Sequence, residues 1–208
     1  MREILISIQP KWVEKILNGE KTIEIRKTKP SCELPCKVYI YCTKSNKYYL
    51  NRKDCRLCYL ENKDILGISD TVRKLTHNLD GFYERLNGYV VTEFTLNEVE
   101  IISTIKEKKN GTSYQYHIVS EDILNKSCLK QEEILDYTNG KDLYAWHIDN
   151  LKIYDKPKEL SEFNKSYPIK CGGHEVIDCY GCPSLSICNN RKITRPPQSW
   201  CYIEKVEE

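Results

Sequence analysis

A short polar segment near the start of the chain carries the side chains best suited to chemistry. Residues 19–26 read GEKTIEIR and supply an ammonium at Lys21, a hydroxyl at Thr22, a carboxylate at Glu24 and a guanidinium at Arg26. An ammonium and a guanidinium can hold phosphate, and a carboxylate can accept a hydrogen bond from a base amino group. The segment therefore suits nucleotide recognition. The alternative is a surface ion pair between Glu24 and Arg26, worth under about 1 kcal/mol.

The chain also contains eleven cysteines, and several of them have the spacing of metal ligands. A C-x-x-C turn supplies two thiolates, and two further Cys or His ligands complete a tetrahedral zinc site. A closed site of four ligands is structural, so zinc would hold this segment together without doing chemistry. The preferred ligands are Cys171, Cys179, Cys182 and Cys188, with His174 as the alternative for one of them.

A second C-x-x-C pair, Cys55 and Cys58, leaves other metal arrangements open. This pair could contribute to the preferred site, or it could form a second site with Cys32 and Cys36. All of these residues could instead be metal-free thiols, since cysteine often behaves as a small core residue.

The elements around residues 19–26 follow from residue spacing. Residues 4–8 predict a strand, and Pro10 is a typical first residue of the helix that follows. Gly19 ends this helix, as a left-handed cap does. Residues 21–26 then alternate with period two, so we expect Ile23 and Ile25 in a core and the polar side chains on the opposite face.

The rest of the chain predicts an α+β fold of many short strands and a few helices. Strands are expected at 38–42, 88–94, 99–103, 143–154 and 199–206, and helices begin near residues 120 and 130. A last strand that returns to pair near the first predicts a small β-barrel flanked by short helices. The expected organisation is a barrel over 1–160, a cysteine-rich zinc-binding insertion over 165–192, and a closing barrel strand over 193–208.

Composition restricts the classes of function. The 208 residues are 40% hydrophobic and 30% charged, which is typical of a globular protein. The formal net charge of +2 argues against a nucleic-acid binder that depends on bulk positive charge. The sequence contains neither an apolar run of about 18 residues nor a signal-peptide pattern, so we expect a cytoplasmic protein without a membrane partner.

The motif G-x-K-x-x-E-x-R at residues 19–26, placed between a Pro-initiated helix and a strand, resembles the ASCH domain family. Three further segments support the resemblance: ISIQPKW at residues 6–12, WHI at residues 146–148 and LKIY at residues 151–154. The ASCH family is similar to the PUA-like RNA-binding barrels. The resemblance thus implies a PUA-like barrel that binds RNA or a modified nucleotide through Lys21, Thr22, Glu24 and Arg26.

The resemblance also implies an enzymatic alternative. One bacterial branch of the ASCH family hydrolyses 4-acetylcytidine with a motif Lys and a Thr two residues before the Arg as the proposed nucleophile. Lys21 matches that Lys, whereas Glu24 occupies the Thr position and Thr22 is a weaker substitute. If the chain is an enzyme, Lys21 would polarise the reacting group and Glu24 would act as general base.

Aromatic side chains can extend either function, because unpaired bases stack on them for about 1–3 kcal/mol per base. The candidates for stacking are Trp12, Tyr39, Tyr41 and Trp146, although most aromatics in small barrels belong to the core. His147 could act as an acid or base near neutral pH, although a lone strand histidine is more often structural.

Three functions remain open from sequence. The first is a module that binds RNA or a nucleotide, for which the near-neutral charge favours a small ligand or short strand over long duplex. The second is a hydrolase acting on a modified nucleoside or on RNA. The third is a zinc-stabilised protein-interaction module that recognises an unknown protein partner through the cysteine-rich segment.

Overall fold

A computed structural model describes most of the chain. The described residues are 2–45, 48–51, 56–59, 86–109, 112–166, 169–171, 174–176 and 191–206. They form an α+β fold with a mixed sheet and three α-helices. The chain divides into two compact units: unit 1 comprises Met1–Glu14, Lys37–Glu93 and Lys152–Glu208, and unit 2 comprises Lys15–Cys36 and Phe94–Leu151.

The larger sheet lies mainly in unit 1. Its five strands are β1 (Glu3–Ile8), β3 (Cys36–Cys42), β6 (Val90–Leu96), β11 (Asp149–Lys158) and β14 (Trp200–Ile203). They lie in the order β11-β6-β3-β1-β14. β1 and β3 are parallel, and β14 pairs antiparallel with β1, so the last described strand lies beside the first.

Unit 1 has its own hydrophobic core. Every residue of β1 is buried, and Leu5 packs with Tyr39 of β3 and Ile203 of β14. Phe163 follows a short 3-10 helix (Leu160–Glu162) and meets Tyr39 edge-on with ring centroids 5.2 Å apart. The fully buried aromatic pair thus joins the sheet to the segment that follows β11.

Unit 2 contains a three-stranded antiparallel sheet covered by two helices. The elements are β2 (Ile23–Arg26), β7 (Val99–Ile102), α2 (Glu121–Ser127), α3 (Gln131–Thr138) and β10 (Leu143–His147). The strand order is β2-β10-β7. The core of this unit combines Ile23 and Ile25 of β2 with Ile123 of α2 and Ile134 of α3, which confirms the predicted inward direction of the two β2 isoleucines.

Three two-stranded ladders complete the described elements. They are β4 (Tyr48–Asn51) with β5 (Arg56–Tyr59), β8 (Thr104–Lys109) with β9 (Thr112–His117), and β12 (Ile169–Cys171) with β13 (His174–Val176).

The predicted closed barrel is wrong for the part of the chain that the structure describes. The five-stranded sheet ends at β11 on one side and β14 on the other, and β2-β10-β7 is a separate sheet. The predicted long strand over 143–154 is two strands that belong to different sheets, because β10 ends at His147 and Asn150 of β11 has φ +48°. Within the described residues, no helix is long and apolar enough to cross a membrane.

The predicted helix after Pro10 is confirmed as α1 (Pro10–Leu17), and Gly19 follows it with φ +75°. A Cβ atom added at Gly19 would have no neighbouring atom within 4 Å, so glycine is favoured here by the left-handed backbone and not by lack of space. We expect Gly19→Ala to lower the free energy of unfolding by roughly 1–2 kcal/mol, and Gly19→Asn by less, because Asn tolerates this region. Urea unfolding measures both values; equal stability of Gly19→Ala and the unsubstituted protein would contradict the left-handed turn.

Candidate functional site

The turn between α1 and β2 fixes the backbone of the G-x-K-x-x-E-x-R segment. Gly19 N donates to Ile16 O at 3.0 Å, and Lys21 N donates to Lys15 O at 3.0 Å. Thr22 is held from two directions, because its N donates to Lys126 O at 2.9 Å and its O accepts from Ile148 N at 2.9 Å. The segment therefore enters β2 with its backbone bonded to the end of α1, to α2 and to the residue after β10.

The three charged side chains of the motif form one buried ion-pair cluster. Lys21 Nζ lies 3.3 Å from Glu24 Oε2, and Arg26 Nε lies 3.1 Å from Glu24 Oε1. Lys21 Nζ also donates to Ser127 O at 2.7 Å, at the C-terminal end of α2. The exposed fractions are only 2% for Lys21, 7% for Glu24 and 8% for Arg26. The alternative of a surface ion pair is therefore wrong, because both faces of β2 are buried.

Glu24 is the centre of this cluster, because both cations contact its carboxylate. Two cations and one carboxylate give the cluster a net charge of +1. The Lys21 ammonium is further stabilised at the C-terminus of α2, where the carbonyl groups carry partial negative charge. The arrangement can donate hydrogen bonds from two cations to an anionic ligand while a fixed carboxylate holds both cations in place.

The register of β2 against β10 places two aromatic residues beside the charged ones. Arg26 is paired directly with Tyr144, and Glu24 with Trp146. Trp146 is fully buried, and its indole Nε1 donates to Thr28 O at 3.3 Å. Trp146 therefore lies on the same face of the sheet as Glu24. Because it is buried, its ring would have to become exposed before a base could stack on it.

Two tyrosines and two exposed lysines that the sequence pattern did not indicate lie beside the cluster. Lys27 Nζ lies 4.6 Å from the ring centroid of Tyr137 in α3, and Lys29 Nζ lies 5.9 Å from that of Tyr144. Partial burial raises the pKa of Tyr137, while the charge of Arg26 lowers it and that of Glu24 raises it. Tyr144 could have been found from its position two residues before Trp146 on the same face of a strand, whereas Tyr137 is brought here by the placement of α3.

The other predicted site residues lie in different settings. The Thr22 side chain is exposed, so the structure does not bring its hydroxyl into the buried cluster. His147 pairs with Ile23, and its half-buried ring has Nε2 3.8 Å from Glu100 Oε2. Trp12 belongs to α1 within unit 1, where Lys11 Nζ lies 4.2 Å from its ring centroid.

The predicted metal ligands are only partly within the described residues. Cys171 ends β12, His174 begins β13, and the two are directly paired across the ladder. Cys55, Cys179, Cys182 and Cys188 lie outside the described residues, and Cys58 lies in β5. In the described part of the chain, no group of three or more His, Cys, Asp or Glu residues could hold a metal ion.

The buried cluster generates a prediction about stability. We expect Glu24→Ala to lower the free energy of unfolding by about 3–5 kcal/mol, because it leaves two buried cations without their carboxylate. The matched control is Glu20→Ala, which removes a 2.9 Å ion pair with Lys15 that is exposed at both ends and worth under about 1 kcal/mol. Denaturant unfolding compares the variants; equal losses would show that burial of the Glu24 pair has no energetic consequence.

Comparison with known proteins identifies the same family as the motif did. A family model of the ASCH domain matches residues 6–158, which is well over half of the 208 residues. A search of curated proteins gives no significant match.

Among solved structures, the chain is similar to ASCH from Zymomonas mobilis, at 15% identity and a TM-score of 0.48, over 98% of this chain and 88% of that one. It is also similar to a point mutant of that protein, at 14% identity and a TM-score of 0.47, over 99% of this chain and 92% of the other. The family model over residues 6–158 confirms the resemblance to this family: the chain belongs to the ASCH domain family.

Proposed function

We propose that the protein binds RNA or a modified nucleotide at the cluster of Lys21, Glu24 and Arg26. The observation that carries this proposal is that the three charged residues of the motif form one buried cluster with a net positive charge. Domains of the ASCH family are generally associated with RNA. A ligand phosphate would interact with Lys21 and Arg26, and Glu24 could accept a hydrogen bond from a base amino group.

A contribution to folding stability does not by itself explain a buried cluster of three charged side chains. Removing charges from water costs several kcal/mol per ion, and well-packed apolar residues of similar volume are often as stable or more so. This supports a role in binding over a role in folding.

The partly exposed groups around the cluster suit the same ligand class. Tyr137 and Tyr144 present aromatic rings, and Lys27 and Lys29 lie near those rings. Bases stack on aromatic side chains with little dependence on sequence, and nearby cations attract the phosphates. Since the whole chain carries a net charge of only +2, we infer a short single strand or a single nucleotide as the ligand.

The geometry favours binding over the hydrolase alternative. Both carboxylate oxygens of Glu24 lie within 3.3 Å of a cation, which fixes the carboxylate as a hydrogen-bond acceptor with lone pairs left for a ligand amino group. Thr22, the weaker candidate for a nucleophile, is exposed.

The test uses short single-stranded RNA and a panel of modified nucleosides that includes 4-acetylcytidine, with binding followed by titration and products by mass. We expect Lys21→Ala to weaken binding at least about tenfold, because it removes a charged hydrogen-bond donor. Lys126→Ala is the matched control: it removes one positive charge from the same unit at a 46% exposed side chain paired with Asp122, and it should bind within about twofold of the unsubstituted protein.

Arg26→Lys provides a second variant that keeps the charge but loses the planar guanidinium. Circular dichroism establishes that each variant is folded. Unchanged binding by folded Lys21→Ala and Arg26→Lys would contradict the proposed site. Product formation that Lys21→Ala abolishes would instead establish an enzyme.

We further propose a structural zinc ion in the cysteine-rich segment, held by Cys171, Cys179, Cys182 and Cys188, with His174 able to replace one of them. Directly paired residues of antiparallel strands have Cβ atoms about 4.5–5.5 Å apart, which is close enough for both to serve one metal ion. The pairing of Cys171 with His174 supports this region as part of the site.

Elemental analysis of protein purified under reducing conditions tests the zinc proposal. We expect one zinc ion per chain, and its loss in Cys179→Ser/Cys182→Ser, because two of four ligands are removed. Cys128→Ser/Cys201→Ser is the control: Cys128 Sγ donates to Glu20 O at 3.3 Å, and burial raises the pKa of Cys201 to about 11, so neither is a typical thiolate ligand. Absence of stoichiometric zinc from the unsubstituted protein would exclude the site.

A further inference from the structure

A second cluster of cations surrounds a cavity of about 270 Å³ in unit 1, on residues that do not belong to the motif. The cavity is lined by Lys37 of β3, Glu93 of β6, and Lys152 and Lys158 of β11, with the rings of Tyr39 and Tyr154. Three lysines against one carboxylate give the lining a net charge of +2.

The carboxylate is already engaged by the protein. Glu93 is 8% exposed, and Tyr154 O–H donates to its Oε2 at 2.5 Å. Lys37 Nζ lies 3.4 Å from Glu93 Oε1, and Lys152 Nζ lies 3.8 Å from the same oxygen. The distance to Lys152 exceeds that of a hydrogen bond, so Glu93 leaves the donors of the Lys152 ammonium available.

The two cavity lysines of β11, Lys152 and Lys158, have few partners among the described residues. Lys158 Nζ lies 4.7 Å from the ring centroid of Tyr154, a contact that attracts the cation without accepting a conventional hydrogen bond. The Lys152 side chain is 64% exposed at the edge of the cavity. Each ammonium carries three donors, so Lys152 and Lys158 retain protons that an anion in the cavity could accept.

The frame of the cavity is fixed by buried hydrogen bonds. Tyr39 O–H donates to Glu3 Oε2 at 2.8 Å, and Val206 N donates to the same oxygen at 3.0 Å. Thr92 Oγ1 donates to Lys152 O at 2.8 Å and so holds the backbone beneath the exposed lysine. Including Glu3, which these groups engage, the local charge is still +1.

We propose that this cavity binds a phosphate group through Lys37, Lys152 and Lys158. Three ammonium groups suit a phosphate because each acts as a point charge that can bind a different phosphate oxygen. The phosphate can come from an RNA backbone or from a free phosphomonoester. Only the RNA source rests on the proposed function, because the cavity and its lysines are independent of Lys21, Glu24 and Arg26.

The first experiment titrates inorganic phosphate into the protein and follows binding by calorimetry. We expect Lys152→Gln/Lys158→Gln to weaken phosphate binding at least about tenfold, because two charged donors are lost. The matched control is Lys192→Gln/Arg195→Gln, which removes two positive charges from unit 1 at residues that do not line the cavity. Equal weakening in the two double variants would overturn the proposal, since the effect would then follow from charge alone.

A variant with the opposite expected sign separates this site from a general loss of stability. Glu93→Gln keeps an acceptor for Tyr154 O–H but removes the negative charge that competes for Lys37 and Lys152, so we expect tighter phosphate binding. The titration is repeated in a second background, Glu207→Gln/Glu208→Gln, which lacks the two carboxylates that follow Val206 in the sequence. No phosphate binding in either background would overturn the proposal.

The second experiment distinguishes the sources of the phosphate. The affinity for a single-stranded RNA octanucleotide is measured against salt concentration, and the logarithmic slope should become shallower by about 0.7 in Lys152→Gln/Lys158→Gln if one backbone phosphate contact is lost. An unchanged slope with weakened inorganic phosphate binding assigns the cavity to a phosphomonoester. RNA binding that depends on Lys21 but not on Lys152 and Lys158, together with no phosphate binding, would overturn this proposal and leave the proposed function intact.

Discussion

The carboxylate of Glu24 is the group on which the motif depends. Each of its two oxygens faces a cation, one from Lys21 in the turn and one from Arg26 two residues further along β2. Because all three side chains are buried, each charge needs its partner in place of water. Lys21 extends the cluster to the carbonyl of Ser127, so the charges link the turn, β2 and the end of α2.

The opposite face of β2 explains why this charge arrangement can be maintained. Ile23 and Ile25 lie in the hydrophobic core of unit 2, and their positions fix which residues of the strand point the other way. A slip of one residue would exchange the two faces and bury charge among isoleucine and leucine side chains. The backbone bonds of Thr22 to Lys126 and Ile148 hold the same register at the entry to the strand.

Local charge, and not total charge, is the basis of both proposed anion sites. The 32 Lys and Arg residues nearly balance the 30 Asp and Glu residues. The motif cluster nevertheless carries a net +1, and the cavity lined by Lys37, Lys152 and Lys158 carries +2. In both places a buried glutamate pairs with two cationic side chains, which are among the donors that the proposed ligands would use.

The sequence by itself determined the local chemistry of the motif and the elements that carry it. Period-two alternation in residues 21–26 is a property of the strand backbone, so the separation of Ile23 and Ile25 from Glu24 and Arg26 could be predicted without tertiary contacts. Pro10 and Gly19 likewise marked the ends of the first helix through their own backbone preferences.

Only the tertiary structure decided how deeply the charges are buried and what surrounds them. Neither Ser127, 106 residues from Lys21, nor Tyr137 carries a local signal that links it to the motif. The cavity lysines come from strands far apart in sequence, and the division into separate sheets replaced the predicted barrel. These features depend on which strands pair and where helices pack, and such contacts between distant residues leave no regular spacing in the sequence.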